Sequence, residues 1–131
     1  MFFLDTNSCI YFLNGSYENL RTRILATSPS EIKITSVVKA ELLLGAEKSK
    51  SKERTLEKLE KFLAPFEVIP FDDQVSHVYA RIRGETENLG RMVGPNDLLI
   101  AATVIFHEGI LVTNNTKELA MIPSLRLENW I

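Results

Sequence analysis

The order of segments along the chain predicts an α/β protein, a three-layer α/β/α sandwich around a mainly parallel central sheet. Two observations carry this expectation. Short apolar or alternating segments recur between longer stretches whose apolar residues fall every three or four positions. Such alternation favours parallel strands joined by right-handed crossovers. The first segment, Phe2–Asp5, is also an unbroken apolar run into an acid, the pattern of a central strand covered on both faces.

Each element has a local reason. A short helix is expected at Ser8–Asn14, stopped by Asn14-Gly15. Tyr17–Thr27 places Leu20, Ile24 and Leu25 at helical spacing, and Ser28-Pro29-Ser30 breaks it. Glu31–Thr35 alternates as a second strand. Ser36 is read as the cap of a helix running to about Lys48. The next stretch is charged, with Leu56, Leu59 and Leu63 on one face, and is an amphipathic helix stopped by Pro65. Glu67–Phe71 is a third strand. Asp72 caps a long helix from Asp73 to Leu89 that turns Val75, Val78, Tyr79 and Ile82 inward, and Gly90 ends it. Asn96 opens the helix "DLLIAATVIFHEG", stopped by Gly109. Ile110–Asn114 is a fourth strand, Thr116–Ala120 a helical turn, and "LRLENW" a closing edge strand.

Composition excludes several function classes. The 131 residues suit one domain, expected to span 1–131, and a chain of this size buries roughly two-thirds of its unfolded surface. Hydrophobic residues at 45% and charged ones at 24% point to a globular core, not to disorder. One cysteine, Cys9, excludes a disulfide framework and is expected to be a buried thiol. Two histidines, His77 and His107, are too few for a histidine zinc site. The start has no basic leader, and no apolar run is long enough to span a membrane, so a cytoplasmic chain is expected. A net charge of −2 argues against bulk attraction to nucleic acid. It still allows a nuclease, because carboxylates that hold a metal offset basic residues in the sum.

Sites in open α/β sheets form outside the carboxyl ends of the strands. Asp5 ends the first strand, Asn114 and Asn115 end the fourth, Asp97 lies in the first turn of a helix, and Glu41 lies on a partly apolar helix face. Each acid alone has an ordinary explanation. Asp5 suits an Asx turn or a helix cap, Asp97 complements a helix dipole, and Glu41 suits a boundary position. Together they gain a second meaning: several carboxylates in one crevice repel unless a hard cation sits among them. Oxygen donors without histidine or thiolate favour Mg²⁺, with Mn²⁺ as a substitute.

The chain resembles the PIN-domain ribonucleases and, within them, the VapC toxins of type II VapBC toxin–antitoxin pairs. The resemblance rests on "LDTN" (Leu4–Asn7), "TSVVKAELLLGA" (Thr35–Ala46), "VGPNDLLIAA" (Val93–Ala102), "LVTNNTKEL" (Leu111–Leu119) and "IPSLRLENW" (Ile122–Trp130), in this order over about the full length. It implies a PIN-like fold and an acidic quartet around one or two divalent metals. Asp5, Glu41 and Asp97 match the first three positions. Asn115 stands at the fourth, where the wider family has aspartate, and Glu118 is the nearby candidate for the missing carboxylate. Asn7 and Thr113 match the small polar residues that orient these acids.

The resemblance further implies metal-assisted endoribonuclease activity on structured RNA. The expected target is a transfer RNA or a ribosomal RNA loop, and initiator tRNA cut in its anticodon stem-loop is the target in one branch. Arg81, Arg83 and Arg91, which flank the approach to Asp97, are candidate RNA contacts, against the plainer reading of solvated charges. A VapB-type antitoxin and a homodimer with the early helices at its interface are implied, assembling as a heterotetramer or hetero-octamer. Three other readings remain at this point. One is a nuclease of the same fold acting on DNA or on other RNA. Another is a non-catalytic metal-binding interaction module. The third is a receiver-like signalling domain, which Asp72 and Asp73 after the third strand do not match well.

Overall fold

The computed structural model describes residues Met1–Ile131. Five parallel strands lie in the order β3-β2-β1-β4-β5, where β1 is Phe2–Leu4, β2 Ile32–Thr35, β3 Glu67–Ile69, β4 Ile110–Val112 and β5 Arg126–Glu128. Seven helices flank the sheet and make the three layers: α1 Thr6–Asn14, α2 Glu18–Ala26, α3 Ser36–Lys48, α4 Lys52–Leu63, α5 Asp73–Asn88, α6 Pro95–Phe106 and α7 Thr116–Leu119. No helix is long and apolar enough to cross a membrane.

The expected central position of the first strand is correct. Phe3 registers with Lys33 of β2 on one side and Leu111 of β4 on the other, and Phe3 and Leu4 are wholly buried. Burying side chains of this size contributes about 1.5–3 kcal/mol each. The strand reaches its neighbour closely. A Cβ at Gly109 would sit 2.5 Å from Cε2 of Phe3, so the turn into β4 requires glycine. A single cluster of buried apolar side chains joins the sheet to α1–α6, and Cys9 lies in it. Burial, and behind it the charge of Asp5, pushes the Cys9 thiol well above its usual range, so it stays protonated.

The strands β3 and β4 end two residues earlier than expected, and three helix starts near the carboxyl ends of the sheet also differ from the sequence expectation. Asp5 does not end β1; it caps α1, which begins at Thr6 and stops at Gly15 in the left-handed region (φ 66°). Thr35, not Ser36, caps α3 by accepting the Val38 amide at 3.1 Å. The Ser36 hydroxyl instead accepts the Phe71 amide, tying α3 to the end of the third strand segment. Helix α6 starts at Pro95 with Gly94 as cap, because proline's missing N–H costs nothing in a first turn. Asp97 is therefore the third residue of that helix, two positions deeper than a cap at Asn96 implies.

Candidate metal centre

The strand order reverses between β1 and β4, and the crevice at such a reversal is where open α/β sheets hold ligands. Asp5 leaves β1 there, and Thr113–Asn115 leave β4 beside it. The Asp5 amide donates to Val112 O at 3.1 Å, and the Ser8 hydroxyl donates to the same carbonyl at 3.3 Å, locking α1 to the end of β4. Asp5 Oδ1 accepts the Ser8 amide at 2.8 Å. One carboxylate oxygen of Asp5 is thus the helix cap, and the side chain also lines the pocket.

The pocket brings together Asp5, Thr6, Asn7, Glu41, Asp97, Asn115 and Leu119. Glu41 comes from the second turn of α3 and Asp97 from the first turn of α6. The Thr6 hydroxyl donates to Glu41 Oε1 at 2.7 Å, between residues 35 positions apart. Glu118, on α7, accepts the Gly94 amide through Oε1 at 3.3 Å and the Asn115 side-chain amide through Oε2 at 3.2 Å. Thr113 is buried, and its hydroxyl accepts the Asn115 amide at 3.0 Å. It orders the loop bearing Asn115 and makes no bond to an acid. Asn7 is exposed and its side chain makes no hydrogen bond to the acids.

Burial first, and then the charges of Glu118, Glu41 and Asp5 in that order, together raise the Asp97 carboxyl to about 6. The seven ion pairs of the structure leave Asp5, Glu41, Asp97 and Glu118 without a cationic partner. Four uncompensated carboxylates in one crevice are a hard-oxygen donor set, the chemistry that Mg²⁺ and Mn²⁺ take. As the side chains stand, no three of them converge closely enough to share one ion. The fit is therefore one of donor type and charge, and ligation requires side-chain rotation.

None of the three arginines lines the pocket. Arg81 pairs with Glu85 and Arg83 with Glu87, each at 3.6 Å and one helical turn on. Arg83 also donates to the Tyr79 hydroxyl, and Arg91 donates to Met121 O at 2.6 Å. Sequence alone does not disclose the role of Thr6: the Ser8 amide holds the Asp5 carboxylate, and the Thr6 hydroxyl reaches Glu41. Its only local signal is position, a hydroxyl residue opening a helix directly after the acid.

Beside the pocket, Ile10 and Leu13 of α1, Leu42, Gly45 and Ala46 of α3, and Leu59 of α4 line a largely apolar groove that also contains Glu41 and Lys58. Glu41 belongs to both.

The model of the PIN domain matches residues 2–122. The chain is 43% identical to the ribonuclease VapC2 of Rickettsia felis, over 99% of this chain and 98% of that one. It is 38% identical to the tRNA(fMet)-specific endonuclease VapC of Salmonella typhimurium, over 98% and 97%. The crystal structure of VapBC2 from Rickettsia felis bound to a promoter DNA fragment contains a chain that superposes with a TM-score of 0.92 at 41% identity, covering 99% of this chain and 98% of that one.

Proposed function

The chain belongs to the PIN-domain family and, within it, to the VapC ribonucleases, and on that premise we propose that it is a Mg²⁺-dependent endoribonuclease toxin that cleaves structured RNA. The observation that carries the reading is the set of carboxylates without cationic partners at the β1–β4 reversal.

Asp5 and Asp97 would hold the cation, with Glu41 as the third oxygen donor. When bound, a divalent cation lowers the pKa of water and stabilises charge developing on the phosphate. Glu41 has one oxygen committed to Thr6, which leaves Oε2 to bind the cation or to orient the attacking water. Asn115 is neutral and adds no charge at the fourth position. Glu118 completes the negative rim while holding Gly94 at the start of α6. With His77 exposed and His107 packed against Phe3 and Phe106, no histidine base stands at the pocket.

Transfer RNA is the substrate class we favour, and initiator tRNA its first member to test, because a relative 38% identical is named for it. Arg81, Arg83 and Arg91 are the candidate phosphate contacts. Their exposed, loosely paired guanidinium groups are free to exchange a carboxylate or carbonyl partner for a phosphate oxygen. The partner that neutralises the toxin is a VapB-type antitoxin. The apolar groove between α1, α3 and α4 suits an amphipathic segment of such a partner, and Glu41 is among the residues that line it. A homodimer of the chain, assembling with antitoxin into a heterotetramer or hetero-octamer, belongs to the same reading, as does a cytoplasmic location.

The test is a substrate panel in Mg²⁺ or in chelator: initiator tRNA, elongator tRNAs, single-stranded RNA, and single-stranded and flap DNA. Cleavage of tRNA in Mg²⁺ alone, lost in Asp5→Ala and Asp97→Ala, is expected. Variants that cut as fast as the parent, or cleavage of DNA with RNA spared, would overturn the reading.

A further inference from the structure

We propose that Thr6 is a positioning residue of this centre, whose hydroxyl holds the Glu41 carboxylate at the acid pocket and out of the adjoining groove that contains Lys58. The inference rests on the metal-centre reading above and adds what sets the third acid in place.

Glu41 lines both the acid pocket and the groove between α1, α3 and α4. Rotation of its side chain decides which of the two its charge serves. On the groove side stands Lys58, which takes part in none of the ion pairs. On the pocket side stands a single hydrogen-bond donor to its carboxylate, the Thr6 hydroxyl at 2.7 Å. A hydrogen bond to an ionised acceptor is short and stronger than a neutral one. The electrostatics of the pocket oppose this orientation, because Glu41 adds to the charges that raise Asp97. Without the hydroxyl, the balance favours the groove and its lysine.

The donor is itself rigid. Thr6 follows Asp5, whose carboxylate caps α1 through the Ser8 amide, and the Asp5 amide is bonded to Val112 O. A threonine in a helix is restricted at χ1 to two main rotamers, so its hydroxyl has few positions open to it once the backbone is set. One turn thereby aims two acids: Asp5 directly, and Glu41 through Thr6. Groups that orient metal ligands in this way change affinity by about 10–100-fold when removed.

The experiment is calorimetric titration of the metal-free protein with Mn²⁺, comparing the parent with Thr6→Val, Thr6→Ala and Thr6→Ser, alone and combined with Glu41→Ala. Melting curves in chelator establish that each variant is folded. Thr6→Val, which keeps shape and loses the hydroxyl, is expected to weaken Mn²⁺ about tenfold. Thr6→Ala repeats that loss with a smaller side chain, and Thr6→Ser, which keeps the donor, stays near the parent. In the Glu41→Ala background the valine should cost nothing further, since its effect runs through that carboxylate. Parent-like Mn²⁺ binding by Thr6→Val would overturn the inference and leave the metal reading standing. So would an equal loss in the Glu41→Ala background, or a folded Thr6→Ser as weak as Thr6→Val. A parent that binds no Mn²⁺ would remove both.

Discussion

After burial, the strongest influence on the Asp97 carboxyl is the charge of Glu118, which faces it from α7 and helps to hold it near 6. The pocket is thus strained electrostatically in the metal-free protein, as sites kept for function often are.

Removing that strain has a sign that can be measured. The folded pKa of Asp97 is raised above its ordinary value of 3.8, so the native state binds more protons than the unfolded state between pH 3.8 and about 6. Its ionisation opposes folding, fully above pH 6 and progressively less as pH falls toward 3.8. Asp97→Asn is expected to melt on the order of 3 °C higher than the parent at pH 7.5 in chelator, with the gap narrowing through this window. The same variant should lose RNA cleavage by about a hundredfold or more. Scanning calorimetry across pH checks the first part and a cleavage assay the second.

Metal binding should compete with that proton. Above pH 6 Asp97 is already ionised; below it each bound cation must displace a proton. Mn²⁺ affinity is expected to hold steady from pH 8 to pH 7 and then to fall, up to about tenfold per unit, below pH 6. Titrations in buffers of different ionisation enthalpy will count the released protons.

Asp5 has two duties that substitution separates. Its Oδ1 caps α1 through the Ser8 amide, and asparagine caps as well as aspartate does. Asp5→Asn and Asp5→Ala should both lose Mn²⁺ and cleavage. Asp5→Ala should be less stable than Asp5→Asn by about 1 kcal/mol, because relief of charge is common to both and only the cap differs. Urea unfolding at equal m-values gives that difference.

At the opposite end of the central strand the constraint is steric. A methyl group on Gly109 would press on Phe3, at 2.5 Å from Cε2 and 2.7 Å from Cδ2. Gly109→Ala is expected to cost about 1–3 kcal/mol, and Phe3→Leu to cost less in that background than in the parent. Denaturation of the two single variants and the double variant completes the cycle.

Much of this was legible in the sequence, for local reasons. The unbroken apolar run of Phe2–Leu4 announced a strand covered on both faces, and β1 lies at the centre of the sheet. Gly15 and Gly90 stopped helices where a left-handed residue was needed. Asp5 and Asp97 were picked out because strand ends and helix starts are where an α/β sheet exposes its crevice, Glu41 because it is an acid on a partly apolar helix face, and all three line one pocket. Period, punctuation and the ordered motifs of the family are all carried by near neighbours in the chain.

What only the tertiary structure decided involves partners far apart. Thr35 and Ser36 are equally good caps on paper; the Phe71 amide, 35 residues on from Ser36, claimed the serine and left the threonine to α3. Arg91 looked like a free cation until Met121 O was found to accept its bond. In the sequence Thr6 is only the neighbour of Asp5; packing of α1 beside α3 brings Glu41 within 2.7 Å of its hydroxyl. A hydroxyl or guanidinium has many acceptors open to it in sequence, and the fold selects one by distance. The sequence by itself determined which residues carry the charge; the packing of α1, α3, α6 and α7 around the ends of β1 and β4 decided which of them face one another.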